Sequence, residues 1–211
     1  MNLAGKVLAY CVFERADYKT GSNGVDGQPI RRLDFQELVA LYSDFPKPRN
    51  LDQEDALRFH AVIKSIFDTQ AIIPFRFPTF LDDGAALLKE LRENYARYLA
   101  DLSRLRDSVQ MELRISAEQQ KENPTSGKQY LEAKLQQAHN VQQVVREVRE
   151  SAAGLISDSK ERPTSQGIRL YALIRREDTA LFRARIQSMH APAPLRILLS
   201  GPWPATDFLH E

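Results

Sequence analysis

Between Leu105 and Val109 the apolar period of the chain changes. Before that point Leu88, Leu91, Tyr95, Tyr98, Leu102 and Leu105 recur every three or four residues, as one face of a helix does. After it Val109, Met111, Leu113 and Ile115 alternate with polar residues, as a strand with one buried face does. Helix and strand cannot share one continuous run, so the chain must break there. A boundary near residue 108 follows.

Both periods recur on each side of that boundary. Lys6–Phe13 reads as a central strand, rich in apolar and aromatic residues. Tyr18–Pro29 is a glycine-bearing loop, Leu38–Tyr42 a second extended stretch, and Asp44–Asn50 a proline-containing turn. Asp52 is an N-cap candidate for a helix over 52–69. Ala71–Phe80 reads as a short strand bounded by prolines. Asp82 and Asp83 open one long helix that carries the stripe to Leu105. Beyond the boundary a polar loop with Pro124 and Gly127 leads to a helix over 128–157, with stripe residues Leu131, Leu135, Ala138, Val141, Val145, Val148, Ala152 and Leu155. Pro163–Gly167 ends that run; strands at 168–174 and 195–199 flank a helix over Asp178–Met189. The expected fold is therefore α+β, in two small α+β domains, 1–108 and 109–200, with long amphipathic helices. The second resembles a ferredoxin-like split β-α-β arrangement.

Residues 201–211 form a tail that carries the single tryptophan within Ser200–Phe208, SGPWPATDF. Pro202 and Pro204 restrict the backbone, so the tail has less freedom to lose on docking. The expectation is that the chain leaves the second sheet after Leu199 and packs back on the N-terminal domain, with Ile73–Phe80 as receptor and Phe208 and Leu209 assisting Trp203. The rival reading is a free tail that presents Trp203 to a partner.

Composition excludes several classes of function. Basic and acidic side chains number 29 and 28, and neither half is basic, which argues against nucleic acid as the main partner. A single cysteine, Cys11, excludes an internal disulfide and fits a reducing cytoplasm. The apolar run at the N-terminus is too short for a membrane helix and lacks a signal-peptide cleavage site, so no membrane is expected. His60, His139, His190 and His210 are scattered and lack the ligand spacing that a metal site or general base usually shows, and Cys11 sits in an apolar strand. Gly21, Gly24 and Gly27 are spaced by three but run into another extended segment rather than a helix N-terminus, unlike a phosphate loop. No catalytic residue, metal site or cofactor is expected. Arg76, on the face of Ile73–Phe77 opposite Ile73, Phe75 and Phe77, either pairs with a carboxylate inside the domain, the favoured reading, or is offered to a partner.

Two segments resemble a known family. Ile73–Phe80, IPFRFPTF, looks like the LPFRFGTVF segment of the gas vesicle proteins GvpL/GvpF, and Leu198–Pro204 looks like that family's C-terminal GPWPPYSF. Between them Met111–Ile115 fits its E-x-x-(V/L)-K-V strand, and Gly127–Leu131 fits its G-x-x-Y-L helix opening, with order and spacing kept over nearly the whole chain. Pro78 replaces the usual glycine, and Ala205-Thr206 a Pro-Tyr pair. The resemblance implies a non-enzymatic, cytoplasmic, vesicle-associated accessory protein. Such a protein would bind the small hydrophobic shell protein, and other gas vesicle accessory proteins, to help nucleate or assemble the vesicle. It marks Pro74, Phe75, Arg76, Phe77, Gly201, Pro202, Trp203 and Pro204 as family-motif residues for interaction. An exposed sheet edge of the second domain is a further expected contact. The alternative is a ferredoxin-like cytosolic module that binds a small effector or another protein.

Overall fold

The computed structural model describes residues 6–16, 23–45, 50–117 and 127–210, with the side chains of Tyr130 and Ala133 left aside. Gly21, much of the Tyr18–Pro29 loop, the prolines of the Asp44–Asn50 turn and the loop with Pro124 lie outside the described residues. The chain forms two compact units, one of Met1–Arg106 with Leu209–Glu211, the other of Asp107–Phe208. Each has its own antiparallel sheet and helices, so the fold is α+β.

In the first unit β1 (Lys6–Glu14) is the central strand, paired on one side with β3 (Leu38–Phe45), which pairs in turn with β2 (Arg31–Phe35). On its other side lie two two-residue strands, β4 (Ile73–Pro74) and β5 (Phe80–Leu81). A bulge between Ala9 and Cys11 flips the alternation of β1, so Val7 and Ala9 before it and Val12 after it enter the same core. That core also holds Leu38, Ala40 and Ile73, and is closed by Leu87 and Leu91 of α2 (Gly84–Glu93) and Tyr98 and Leu102 of α3 (Tyr95–Arg104). On the other face, α1 (Gln53–Phe67) sets Phe59 5.1 Å from the Tyr10 ring. Asp52 and Asp55 cap α1 reciprocally, each side chain accepting from the other's backbone N–H.

Four sequence expectations for this unit change. A hairpin partner, β2, precedes the expected strand, joined by a tight turn in which Gln36 takes a positive φ of 52° without the usual glycine or asparagine signal. Ala71–Phe80 is not a continuous strand; it pairs only at its two ends. The long helix over 82–105 is two helices, broken at Asn94. The Asn94 side chain donates to the Glu90 carbonyl and carboxylate, 3.1 and 2.8 Å, and its backbone leaves helical geometry. The break rotates the stripe, so Leu87 rather than Leu88 is fully buried.

The second unit runs β6 (Ser108–Ala117), α4 (Gly127–Ser151), β7 (Ile156–Thr164), β8 (Gly167–Arg175), α5 (Thr179–Gln187), β9 (Leu195–Trp203). The sheet order is β7-β8-β6-β9, all antiparallel. Val109, Met111, Leu113 and Ile115 of β6 and Leu170, Ala172 and Ile174 of β8 are buried on the face that carries the helices. Here too the sequence reading needs correction. The helix expected to reach 157 stops at Ser151, and β7, not foreseen, adds a fourth strand and becomes one edge. Only the second half of the α4 stripe packs. Val141, Val145, Val148 and Ala152 are buried, but Leu131 and Leu135 are exposed. The chain does not leave the sheet after Leu199, because β9 continues to Trp203, opposite Gln110.

Candidate functional site

The two motifs singled out by the sequence fall in different units. In the first, Pro74 pairs with Cys11 in the sheet, and the Phe75 N–H donates to the Tyr10 carbonyl at 2.9 Å. The loop returns through Thr79, whose carbonyl accepts from the Ala9 N–H at 3.1 Å and whose hydroxyl closes onto the Arg76 carbonyl at 2.6 Å. Between these ties the aromatic residues part. Phe75 packs against the core under α2 and α3, while the Phe77 ring lies 5.0 Å from Phe59 of α1. They therefore do not share one face, as strict alternation had predicted. With its neighbours held in opposite directions, Arg76 is left at the tip, exposed. The favoured internal ion pair is absent: no carboxylate among the described residues lies within salt-bridge distance of its guanidinium. A guanidinium presented this way can offer a planar fork of donors to a carboxylate or a carbonyl.

In the second motif Gly201 adopts a φ of +108°, and a Cβ there would stand 2.8 Å from the Gln110 carbonyl oxygen and 3.2 Å from Met111 Sδ. Only glycine fits both the angle and the space. Arg183 of α5 donates to the Gly201 carbonyl, which fixes the bend from the helix side. Pro202 and Pro204 bracket Trp203, which is 37% exposed and whose Nε1 donates to Ser200 Oγ at 3.3 Å. Trp203 is therefore not the buried anchor of the tail. Phe208 is: it is 3% exposed, with Lys160 Nζ 5.7 Å above its ring. Asp207 beside it accepts from Gln110 Nε2 at 2.7 Å and pairs with Arg162 at 2.6 Å.

Past Phe208 the chain belongs to the first unit. Leu209 packs on the core that contains Ile73 and Phe75, so the tail does return to the N-terminal unit, through Leu209 rather than Trp203. The His210 backbone N–H and Nδ1 both reach the Asp101 carboxylate, at 3.1 and 2.7 Å, where Arg104 also donates. Asp101 is 1% exposed. Sequence reading missed this partner of His210, which lies 109 residues away. The one available signal was an aspartate next to Leu102 on an apolar helix face.

Cys11 is fully buried, and burial pushes its thiol well above the ordinary range. Burial, followed by the hydrogen bond to Glu90, also raises the Tyr98 hydroxyl. His60, His139 and His190 are exposed. Among the described residues no group of three His, Cys, Asp or Glu side chains could hold a metal. Among the same residues no helix is long and apolar enough to cross a membrane.

Comparison with known proteins places this geometry. The family model "Gas vesicle synthesis protein GvpL/GvpF" matches residues 6–210. Gas vesicle protein F of Streptomyces sp. (strain CB03234) is 30% identical over 102 residues, covering 48% of this chain and 43% of the relative. Gas vesicle protein L of the same organism is 28% identical over 139 residues, covering 54% and 52%. The chain thus spans about half the length of the curated relatives it matches. The crystal structure of GvpF from Anabaena sp. PCC7120 superposes with a TM-score of 0.81 at 13% identity, covering 98% of this chain and 97% of that one. GvpF from Microcystis aeruginosa gives 0.77 at 16%, with 96% and 98% covered. At such identities these two structures establish a shared fold and nothing finer. With the family model matched along nearly its full length, the chain belongs to the GvpL/GvpF family of gas vesicle synthesis proteins.

Proposed function

We propose that this protein is a non-enzymatic accessory factor for gas vesicle formation. It acts in the cytoplasm at the growing vesicle, where it binds the small hydrophobic shell protein to help nucleate or assemble the wall. Family membership over residues 6–210 carries the assembly role. The contact with the shell protein is supported by one feature above the rest: an Arg76 side chain at the tip of a pinned loop, exposed and without an ion-pair partner among the described residues. A structural arginine would be paired; one held out by two oppositely packed phenylalanines suits a partner's carboxylate or carbonyl. Trp203, 37% exposed beside Gly201, Pro202 and Pro204, supplies a rigid amphipathic surface of the kind common at the centre of interfaces.

The test is co-expression of the tagged protein with a small hydrophobic gas vesicle shell protein. Retention of the shell protein through washing is the expected result. Recovery of the tagged chain alone, with the shell protein expressed and detectable in the lysate, would reject the proposal.

A further inference from the structure

The sheet of the second unit has a face that its helices do not cover. Helices α4 and α5 bury the odd-numbered residues of β6 and the even-numbered residues of β8, so the opposite parity points the other way. On that side one row crosses all four strands: Arg162 of β7 opposite Arg169 of β8, Arg169 opposite Arg114 of β6, and Arg114 opposite Leu198 of β9. Like charges directly opposite one another across strands destabilise a sheet. Internal carboxylates offset this poorly. Glu112 Oε1 stands 3.7 Å from both Arg114 and Arg169 and makes no hydrogen bond, although it is buried. Leu198, in the same row, is 61% exposed.

The neighbouring part of this face already holds a ligand, which is the chain's own Asp207-Phe208. The carboxylate pairs with Arg162 and the ring lies beneath Lys160. This is a short acidic-apolar pair seated on a cation and a flat surface, and it stops before Arg169, Arg114 and Leu198. We infer that the Arg169–Arg114–Leu198 part of the face binds an acidic, apolar segment of a partner protein in the same manner, its carboxylates taking the arginines and its apolar residue covering Leu198. A nucleic acid suits the face less well. The aromatic ring in its middle, Tyr171, is 6% exposed and lies under the Arg162 guanidinium, so the ring beside the arginine row is not open for a base to stack on. The inference uses neither Arg76 nor Trp203 and stands whether or not the shell-protein contact does.

The experiment uses the full-length protein and a short fluorescent peptide that alternates aspartate with leucine. Its asparagine-leucine counterpart and an oligothymidine of equal charge serve as the other two probes. Saturable binding of the acidic peptide alone is expected, weakened by added salt. Arg114→Gln and Arg169→Gln should each weaken it roughly tenfold, as loss of a charge-assisted hydrogen bond does. Because each substitution relieves repulsion within the row, neither should lower the melting temperature. That pairing of weaker binding with undiminished stability separates a binding row from a structural one. Failure of the acidic peptide to bind overturns the inference, as does oligothymidine binding equally well. Unchanged binding in both variants, or a melting temperature that falls in both, overturns it too.

Discussion

At Gly201 one atom decides the backbone. Its φ of +108° and the Gln110 carbonyl, 2.8 Å from where a Cβ would sit, leave no room for a side chain. Gly201→Ala is expected to lower stability by about 1–3 kcal/mol, read from the denaturant midpoint. An unchanged midpoint would mean that the bend relaxes freely. Cys11 makes the opposite kind of statement. Fully buried, with its thiol pushed up by desolvation, it should resist a thiol reagent at neutral pH until the first unit unfolds. Labelling of the native protein at the rate of a free thiol would contradict that. The inertness of Cys11 could be read from its apolar neighbours, because the cause is local. The state of Arg76 could not. Whether a guanidinium finds a carboxylate depends on which loops the fold brings near it, and strict alternation placed Phe77 on the wrong side. The His210–Asp101 pair was hidden for the same reason, with its partners at opposite ends of a helix-and-sheet arrangement.

Among the elements, those with a strong apolar period were legible and those without one were not. β1, β6 and α1 carry their period and their caps in sequence. β7, with the sequence ISDSKERPT, shows little beyond charge and a proline, and a proline is tolerated there because β7 is an edge strand. β2 was missed because its turn uses Gln36, and the extension of β9 because Gly201 and Pro202 read as a terminator. The helix over 82–105 kept its spacing across Asn94, so periodicity alone could not show the break. Half of the α4 stripe likewise looks like core yet faces outward. Leu131→Gln and Leu135→Gln should each change stability by less than about 0.5 kcal/mol, whereas Val145→Ala, in the packed half, should cost about 1–3 kcal/mol. Equal losses at Leu135 and Val145 in denaturant unfolding would show that the whole stripe is buried in solution.

Across the whole molecule, the chain ends in the first unit, where Leu209 packs on the core and His210 reaches Asp101. Deleting Leu209–Glu211 removes an apolar contact and two hydrogen bonds to the nearly buried Asp101, and leaves its ion pair with Arg104. The deletion should destabilise the first unit by about 1–3 kcal/mol, visible as an earlier thermal transition; an unshifted transition would mean that the tail is not docked. Function rests on the surface that remains exposed. In a titration of the wild-type protein and Arg76→Glu against solubilised shell protein, the account predicts saturable binding by the wild type. It predicts binding at least tenfold weaker for Arg76→Glu, at an unchanged melting temperature. Equal affinity of the two proteins would contradict the assignment of Arg76, and no binding by either would contradict the shell-protein contact itself.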